Sequence, residues 1–243
     1  MRRSFFTSIE LIIIVAVLVV LIGILLPNLY KTKKSALEIT CGNHLKQIAL
    51  ANSMYANDYT VFCSYGPAMG PGAMWLGGRN ELMNIDLTQG GLLMPYIDNK
   101  IDVVICPKWK PYVPDVKSTD GNGYGYNKAY IGTGKVIPGT ITNPKDIIMF
   151  GDSMNNGASI MTTMGDSLAA FPAIYPPGYM SRMGSMGDGF IHFRHNKKSG
   201  VAWVDGHVTF EKMTATADSD LARKHLVGYF GEKNAANYDP NFK

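Results

Sequence analysis

The stretch Ser8-Ile9-Glu10-Leu11-Ile12-Ile13-Ile14-Val15-Ala16-Val17-Leu18-Val19-Val20-Leu21-Ile22-Gly23-Ile24-Leu25-Leu26-Pro27 decides how the rest of the chain is read. From Leu11 to Leu26 sixteen consecutive residues carry no charge and no polar side chain. As a helix rising 1.5 Å per residue, Ile9 to Leu26 spans roughly 27 Å, close to the hydrocarbon thickness of a bilayer. A secretory leader would end in small residues at a cleavage site. Here the run ends Leu26-Pro27-Asn28-Leu29-Tyr30-Lys31 instead, so the apolar helix is expected to stay in the mature protein. Arg2 and Arg3 favour a cytoplasmic N-terminus, while Lys31, Lys33 and Lys34 beyond the run weigh against them.

Composition agrees with a chain of two characters. The 243 residues are 46% hydrophobic and 17% charged, with 26 Gly, 13 Pro and 13 Tyr. Once the apolar run is set aside, the remainder is polar and rich in turn-forming residues, yet too aromatic and too sparsely charged for disorder. The net charge of +4 is spread along the sequence, and no basic stripe forms, so nucleic acid is not an expected partner.

After Pro27 the periodicity becomes amphipathic. Leu37, Cys41, Leu45, Ile48, Asn52, Tyr55 and Tyr59 recur at three- and four-residue steps. The reading is one long helix, bent at Pro27, weakened at Gly42 and ending near Asn57-Asp58. Its first half is apolar all round, and its second half has one apolar face for packing on a head. A plain signal anchor followed by an independent helix is the alternative.

Glu10 is the anomaly. A carboxylate inside an apolar span costs roughly 2–3 kcal/mol near the centre and less toward the interface. It is either an interfacial Glu reaching headgroups or one half of a pair with a positive charge on another subunit. Phe6-Thr7-Ser8-Ile9-Glu10-Leu11, followed by the apolar helix, resembles the processing site of type IV prepilins and type II secretion pseudopilins. In that family a short basic leader is cut by a prepilin peptidase just before a Phe, which is then N-methylated. The resemblance implies cleavage between Phe5 and Phe6, and pairing of Glu10 with the new N-terminal amine of an adjacent subunit during filament assembly. Pro27 stands where pilin helices often kink. Two positions depart from the pattern: Phe5 stands where Gly is usual, and Ser8 where Leu is common. Cys41-Gly42-Asn43-His44-Leu45-Lys46-Gln47-Ile48 is similar to a segment that follows the membrane helix in a bacterial subset of these proteins.

In the head, Ser64–Gly78 and Gly121–Gly139 read as Gly/Pro-rich loops. Strands are expected at Asp102–Cys106, Ile147–Phe150, Gly200–Val204 and His207–Phe210. The last two are joined by Asp205-Gly206, a strong signal for a two-residue type I′ hairpin turn. A helix is expected from Ser219 to about Phe230, and loops over Asn155–Gly189. His195, followed after nine residues by Asp205-Gly206, is similar to the C-terminal H-x9-D-G signature of a pseudopilin-like family described as prepilin processing-associated. Cys106-Pro107, Tyr124-Gly125-Tyr126-Asn127 and Gly151-Asp152-Ser153 also resemble landmarks of that family.

His192, His195, Asp205 and His207, with Asp152, are metal-ligand types. However, His207 and Asp205 flank a tight turn, and no metal is expected. The favoured reading is that His195 and Asp152 tie the hairpin to a neighbouring strand by buried hydrogen bonds. No cofactor is expected; oxygen-rich stretches at Asp115–Asn122 and Asp152–Asn156 keep Ca²⁺ as an alternative, although neither fits a defined calcium loop. No nucleophile elbow, phosphate loop or H-E-x-x-H occurs, so no catalytic residue is expected. Of Cys41, Cys63 and Cys106, a bridge Cys41–Cys106 or Cys63–Cys106 is a candidate, against three free thiols.

The expectation is therefore an α+β pilin-like chain: leader 1–5, membrane and stalk helix 6–58, and head 59–243. It would sit in the inner membrane as a single-pass protein, N-terminus cytoplasmic, with the head in the periplasm or at the cell surface. Its role would be non-enzymatic, as a subunit of a type II secretion pseudopilus or type IV pilus-like filament, with a prepilin peptidase, its own copies and other pseudopilins as partners. A membrane-anchored binding protein for a glycan or other surface ligand is the alternative, with Trp75, Trp109, Trp203 and the tyrosines as stacking surfaces. A tethered metal-dependent hydrolase is the third reading.

Overall fold

The computed structural model describes residues 8–67, 71–79, 85–109, 123–155, 173–175, 189–216 and 226–230. The leader with Phe5 and Phe6, the 115–122 stretch, most of 155–189 and residues 219–225 lie outside the described residues. The chain divides into two compact units, Met1–Ile39 and Thr40–Lys243.

The apolar run and the amphipathic stripe form one helix, α1, from Ser8 to Tyr59. Pro27 lies inside it and cannot donate to the carbonyl of Gly23, but the helix continues. The Asn28 side-chain amide bonds the Ile24 carbonyl (3.2 Å) and the Thr32 hydroxyl bonds the Asn28 carbonyl (2.9 Å), so side chains reinforce the turns beside the proline. Within the first unit the large apolar side chains from Ile9 to Leu29 are all exposed, none below 46%. The helix is long and apolar enough to cross a membrane, a property that signal sequences share.

In the second unit α1 is a core element. Cys41, Leu45, Ile48, Asn52 and Ala56 are buried at helical steps, together with Ala49 and Ala51. Tyr59, the last residue of the expected stripe, is exposed. Asn52 is tolerated on a buried face because both ends of its side-chain amide are bonded. Its amide donates to the Tyr126 hydroxyl (2.9 Å), and its carbonyl oxygen accepts from the Cys63 backbone N–H (3.0 Å). The Tyr126 hydroxyl then donates to the Cys63 carbonyl (2.9 Å), closing a buried ring of bonds.

Two sheets complete the second unit. A small antiparallel one joins β1 (Gly72–Ala73), β2 (Gly78–Arg79) and β3 (Ile85–Asp86). The main sheet contains β4 (Tyr124–Asn127), β5 (Ile148–Asn155), β6 (Ala173–Ile174), β7 (Gly189–His192), β8 (Lys198–Trp203), β9 (Val208–Lys212), β10 (Ala215–Thr216) and β11 (Val227–Tyr229). The pairing is antiparallel except between β4 and β6. The fold is α+β, with the second half of α1 and this mixed sheet sharing one core. Trp75, Tyr126 and Phe150 form its aromatic centre, with Tyr126 stacked on Phe150 at 4.5 Å and Trp75 5.1 Å from Phe150.

β5 is the hub. One edge pairs with β4, Tyr124 opposite Asp152 and Tyr126 opposite Phe150. The other edge is shared: β8 pairs with Ile148–Gly151, and β7 with Ser153–Asn155. Asp152 falls between these two partners.

Four expectations for local structure are corrected. Asp102–Cys106 is not a strand. Ile101–Val104 forms a 3₁₀ turn, entered through Asp98 and Asn99 with positive φ (54° and 55°), and it buries Val103 and Val104. Packing overrides the β preference of its branched residues. Tyr124–Asn127 is a strand inside a stretch read as loop. Gly125 belongs in it because a Cβ there would lie 2.7 Å from both Ile174 and Ser153. Val227–Tyr229 is a strand, not the end of a helix. Finally, Asp205-Gly206 is not a type I′ turn. The Gly206 N–H bonds the Trp203 carbonyl (2.9 Å), the Trp203 N–H bonds the His207 carbonyl (3.0 Å), and only Gly206 has positive φ (86°). That is a three-residue link, a type I turn closed by a left-handed glycine. The I′ geometry occurs instead at Asn196-Lys197, both with positive φ (51° and 65°), between His195 and Lys198, whose backbones exchange two 2.9 Å bonds.

Candidate functional site

The Asn196-Lys197 turn fixes His195, and the break between β8 and β7 leaves Asp152 without a neighbouring strand on that edge of β5. The two side chains meet there, both fully buried. His195 Nε2 lies 3.1 Å from Asp152 Oδ2, which also accepts the Gly200 N–H at 2.7 Å. Asp152 thus stands in for the missing strand partner, and Gly200 reaches it because no side chain intervenes. Arg194 approaches from the other side, with Nε 3.9 Å from Asp152 Oδ1. Its Nη2 donates to the Ser153 carbonyl (2.7 Å), and its guanidinium lies 5.0 Å over the Trp109 ring. Gly123 makes room for this arginine: it has φ +82°, and a Cβ there would lie 2.4 Å from Nη1.

Cys41 of α1 and Cys106, just past the 3₁₀ turn, enter the same place. Their sulfurs are 2.9 Å apart, both buried, and Cys106 Sγ is 4.0 Å from His195 Nε2. Cys41, Cys106 and His195 bring their donor atoms within 4.8 Å of one another.

The electrostatics are collective. Burial would raise the Cys106 thiol, but the Cys41 thiol and the His195 ring both bond its sulfur, and with the Arg194 charge they bring it down to about 3. Cys41, bonded to that sulfur, is pushed far up, and burial adds to the effect. Burial would lower His195, but the bonds to Asp152 and Cys106 hold it at about 9. Burial raises Asp152 above the usual carboxylate value, against the pull of Arg194 and His195. With both cysteines reduced, the lowered Cys106 and the raised His195 place a thiolate beside an imidazolium near neutrality.

No protein-family model, curated protein or solved structure matches the chain.

The other singled-out residues lie elsewhere. Glu10 is in the first turn of α1. Asp205 belongs to an exposed turn, where its carboxylate accepts the His207 N–H (3.0 Å) and contacts the His207 ring (2.5 Å). His192 meets the Trp109 ring edge-on at 6.3 Å. The candidate metal ligands therefore divide, with His195 and Asp152 paired in the buried site and His207 and Asp205 paired at the exposed turn. Asp152 to Asn155 belong to β5 and not to an oxygen-lined loop. Trp75 is fully buried, and Trp203 stacks on His207, so these two serve the fold. What sequence reading missed was the convergence of Cys41–Cys106 with His195–Asp152. Each pair was legible, but the segments are brought together only by sheet pairing.

Proposed function

We propose that the protein is a non-enzymatic, pilin-like filament subunit of the type II pseudopilus or type IV pilus kind. The observation that carries this reading is the contrast along α1. From Thr40 onward the helix has a buried face; before it, every large apolar side chain to Leu29 is exposed. Leaving a Leu or Ile in water forgoes about 1.5–3 kcal/mol of burial, so this surface leaves tens of kcal/mol for a bilayer or for neighbouring helices to supply. A stored subunit in the inner membrane would satisfy it with lipid, and an assembled one with the helices of its own copies and of other pseudopilins. The N-terminus would face the cytoplasm and the head the periplasm or cell surface. Prepilin peptidase would cut between Phe5 and Phe6, and Glu10 would then pair with the new amine of the next subunit and set the register.

The test is the N-terminus of the protein from native cells. The expected result is N-methylated Phe6. An intact Met1 would overturn the reading and favour a simple anchored protein, which needs neither processing nor Glu10.

A further inference from the structure

We propose that Cys41 and Cys106 are joined in the mature protein by a disulfide that fastens the buried second half of α1 to the segment after the 3₁₀ turn, with Cys106 as the entering sulfur. The two sulfurs belong to segments far apart in sequence, yet they stand 2.9 Å apart in a buried site. Less than an ångström of side-chain movement brings them to the bonding distance of about 2.05 Å. Cys63 is also buried, but it does not belong to this group and is left as the spare thiol. The same sulfurs with His195 could hold a metal ion, but two features weigh against it. Thiolates on one tetrahedral zinc stand about 3.8 Å apart, given bonds near 2.3 Å. In addition, the ring nitrogen that faces the sulfurs is already engaged by Asp152.

The surroundings also fit the chemistry. Thiol–disulfide exchange begins with a thiolate, and positive neighbours favour one. Cys106 has His195 and Arg194 beside it, while Cys41 has the bond to Cys106 itself. The Cys106 thiolate attacks one sulfur of a small-molecule or oxidoreductase disulfide and expels the other as a thiolate. Cys41 then gives up its proton and attacks Cys106 Sγ, expelling the second donor thiolate. The two cysteines lose two electrons, and the donor disulfide gains them. Its two new thiols take up two protons, one from Cys41 and one from His195. His195 can release its proton because one of the two groups that hold it, the negative Cys106 sulfur, has gone.

In the cell this inference rests on the proposed location of the head, because only an oxidising compartment supplies the donor. Two measurements separate the geometry from the location. In the first, full-length protein is alkylated as native cells are lysed, then digested without reductant. A peptide pair linking Cys41 to Cys106, with Cys63 alkylated after denaturation, is expected. In the second, purified full-length protein is reduced and then exposed to oxidised glutathione, with the Cys63→Ser variant in parallel. Both should become lighter by two hydrogens and show the same linked pair. If only the second succeeds, the location is wrong and the geometry stands. If the second fails, or yields mixed disulfides on separate cysteines, the proposal is overturned. Stoichiometric zinc in protein purified without chelator, with both thiols protected until the metal is removed, would also overturn it.

Discussion

The packing of α1 on β8 can be tested at a single contact. A Cβ built on Gly200 would lie 2.8 Å from Cδ1 of Leu45, 3.3 Å from Asp152 Oδ2 and 3.4 Å from Phe210 Cε1. Leu45 is fully buried, so its methyl has little room to retreat. Overpacking of this kind costs about 1–3 kcal/mol. Against it stands a gain of about 0.4–1 kcal/mol, because Gly200 does not have positive φ and alanine restricts the unfolded chain. Gly200→Ala should therefore destabilise the protein by about 1–2 kcal/mol. Leu45→Ala alone should cost about 2–5 kcal/mol through lost burial and the cavity it leaves. In the double variant the new methyl enters the space vacated by Leu45. The same Gly200→Ala change should then be neutral or stabilising, with a coupling of about 2 kcal/mol between the sites. For a unit of this size each kcal/mol moves the melting temperature by roughly 2–4 °C. Thermal unfolding of the full-length protein in detergent, followed by the near-ultraviolet signal of its buried aromatics, reads the wild type and all three variants. Gly200→Ala should lower the midpoint by roughly 2–8 °C in the wild-type background and leave it level or raised in the Leu45→Ala background. Equal losses in both backgrounds would refute the contact, and with it the packing of α1 against β8.

Two further outcomes separate the roles within the buried cluster. Asp152→Ala leaves His195 and Arg194 buried without their carboxylate and should cost about 3–5 kcal/mol, whereas Asp205→Ala, on an exposed turn, should cost about 1 kcal/mol or less; equal losses in urea unfolding would contradict the division. In reducing buffer the cluster also fixes a pH profile: Cys106 lowered from 9.0 to about 3 adds stability that disappears on acidification toward pH 3, while His195 raised from 6.5 to about 9 adds stability that disappears as pH rises toward 9. Between pH 6.5 and 9 the folded and unfolded Cys106–His195 pairs of the wild type bind equal numbers of protons, so these two groups leave its unfolding free energy level there; below pH 6.5 the difference in unfolding free energy between wild type and Cys106→Ser should shrink, while a difference that stays level on acidification would show that no thiolate is present.

The parts of this fold legible from sequence are those set by local periodicity. The helix announced itself because sixteen apolar residues and a stripe at three- and four-residue steps have no other economical reading. The stripe even included Asn52, whose place on a buried face became explicable only once Tyr126 and Cys63 were seen to complete its bonds. The β8–β9 hairpin was found for a similar reason, since alternating segments around a glycine turn pair with few alternatives. Its turn type was misread because Asp-Gly serves two geometries, and the spacing between flanking residues does not choose between them. The I′ turn at Asn196-Lys197 lacks a glycine and gave no such signal.

The site was legible only in fragments, because its chemistry arises from an interruption in a sheet. Asp152 sits in a strand where an apolar residue would ordinarily be expected. Its polar atoms are tolerated because β8 stops pairing at Gly151 and β7 begins at Ser153. The gap admits the Gly200 amide, the His195 ring and, through His195, the sulfur of Cys106. Such a gap is a property of three strands together, so no window of sequence contains it. The H-x9-D-G spacing marked His195 and Asp205 as one unit, yet the structure gives them different work. Asp205 shapes the exposed turn between β8 and β9, while His195 serves the buried cluster. The nine-residue interval is the length of chain needed to leave the cluster, run out along β8 and turn. On this view the spacing encodes the reach of one strand, and Asp152 and Cys106 are the residues that give His195 its charge.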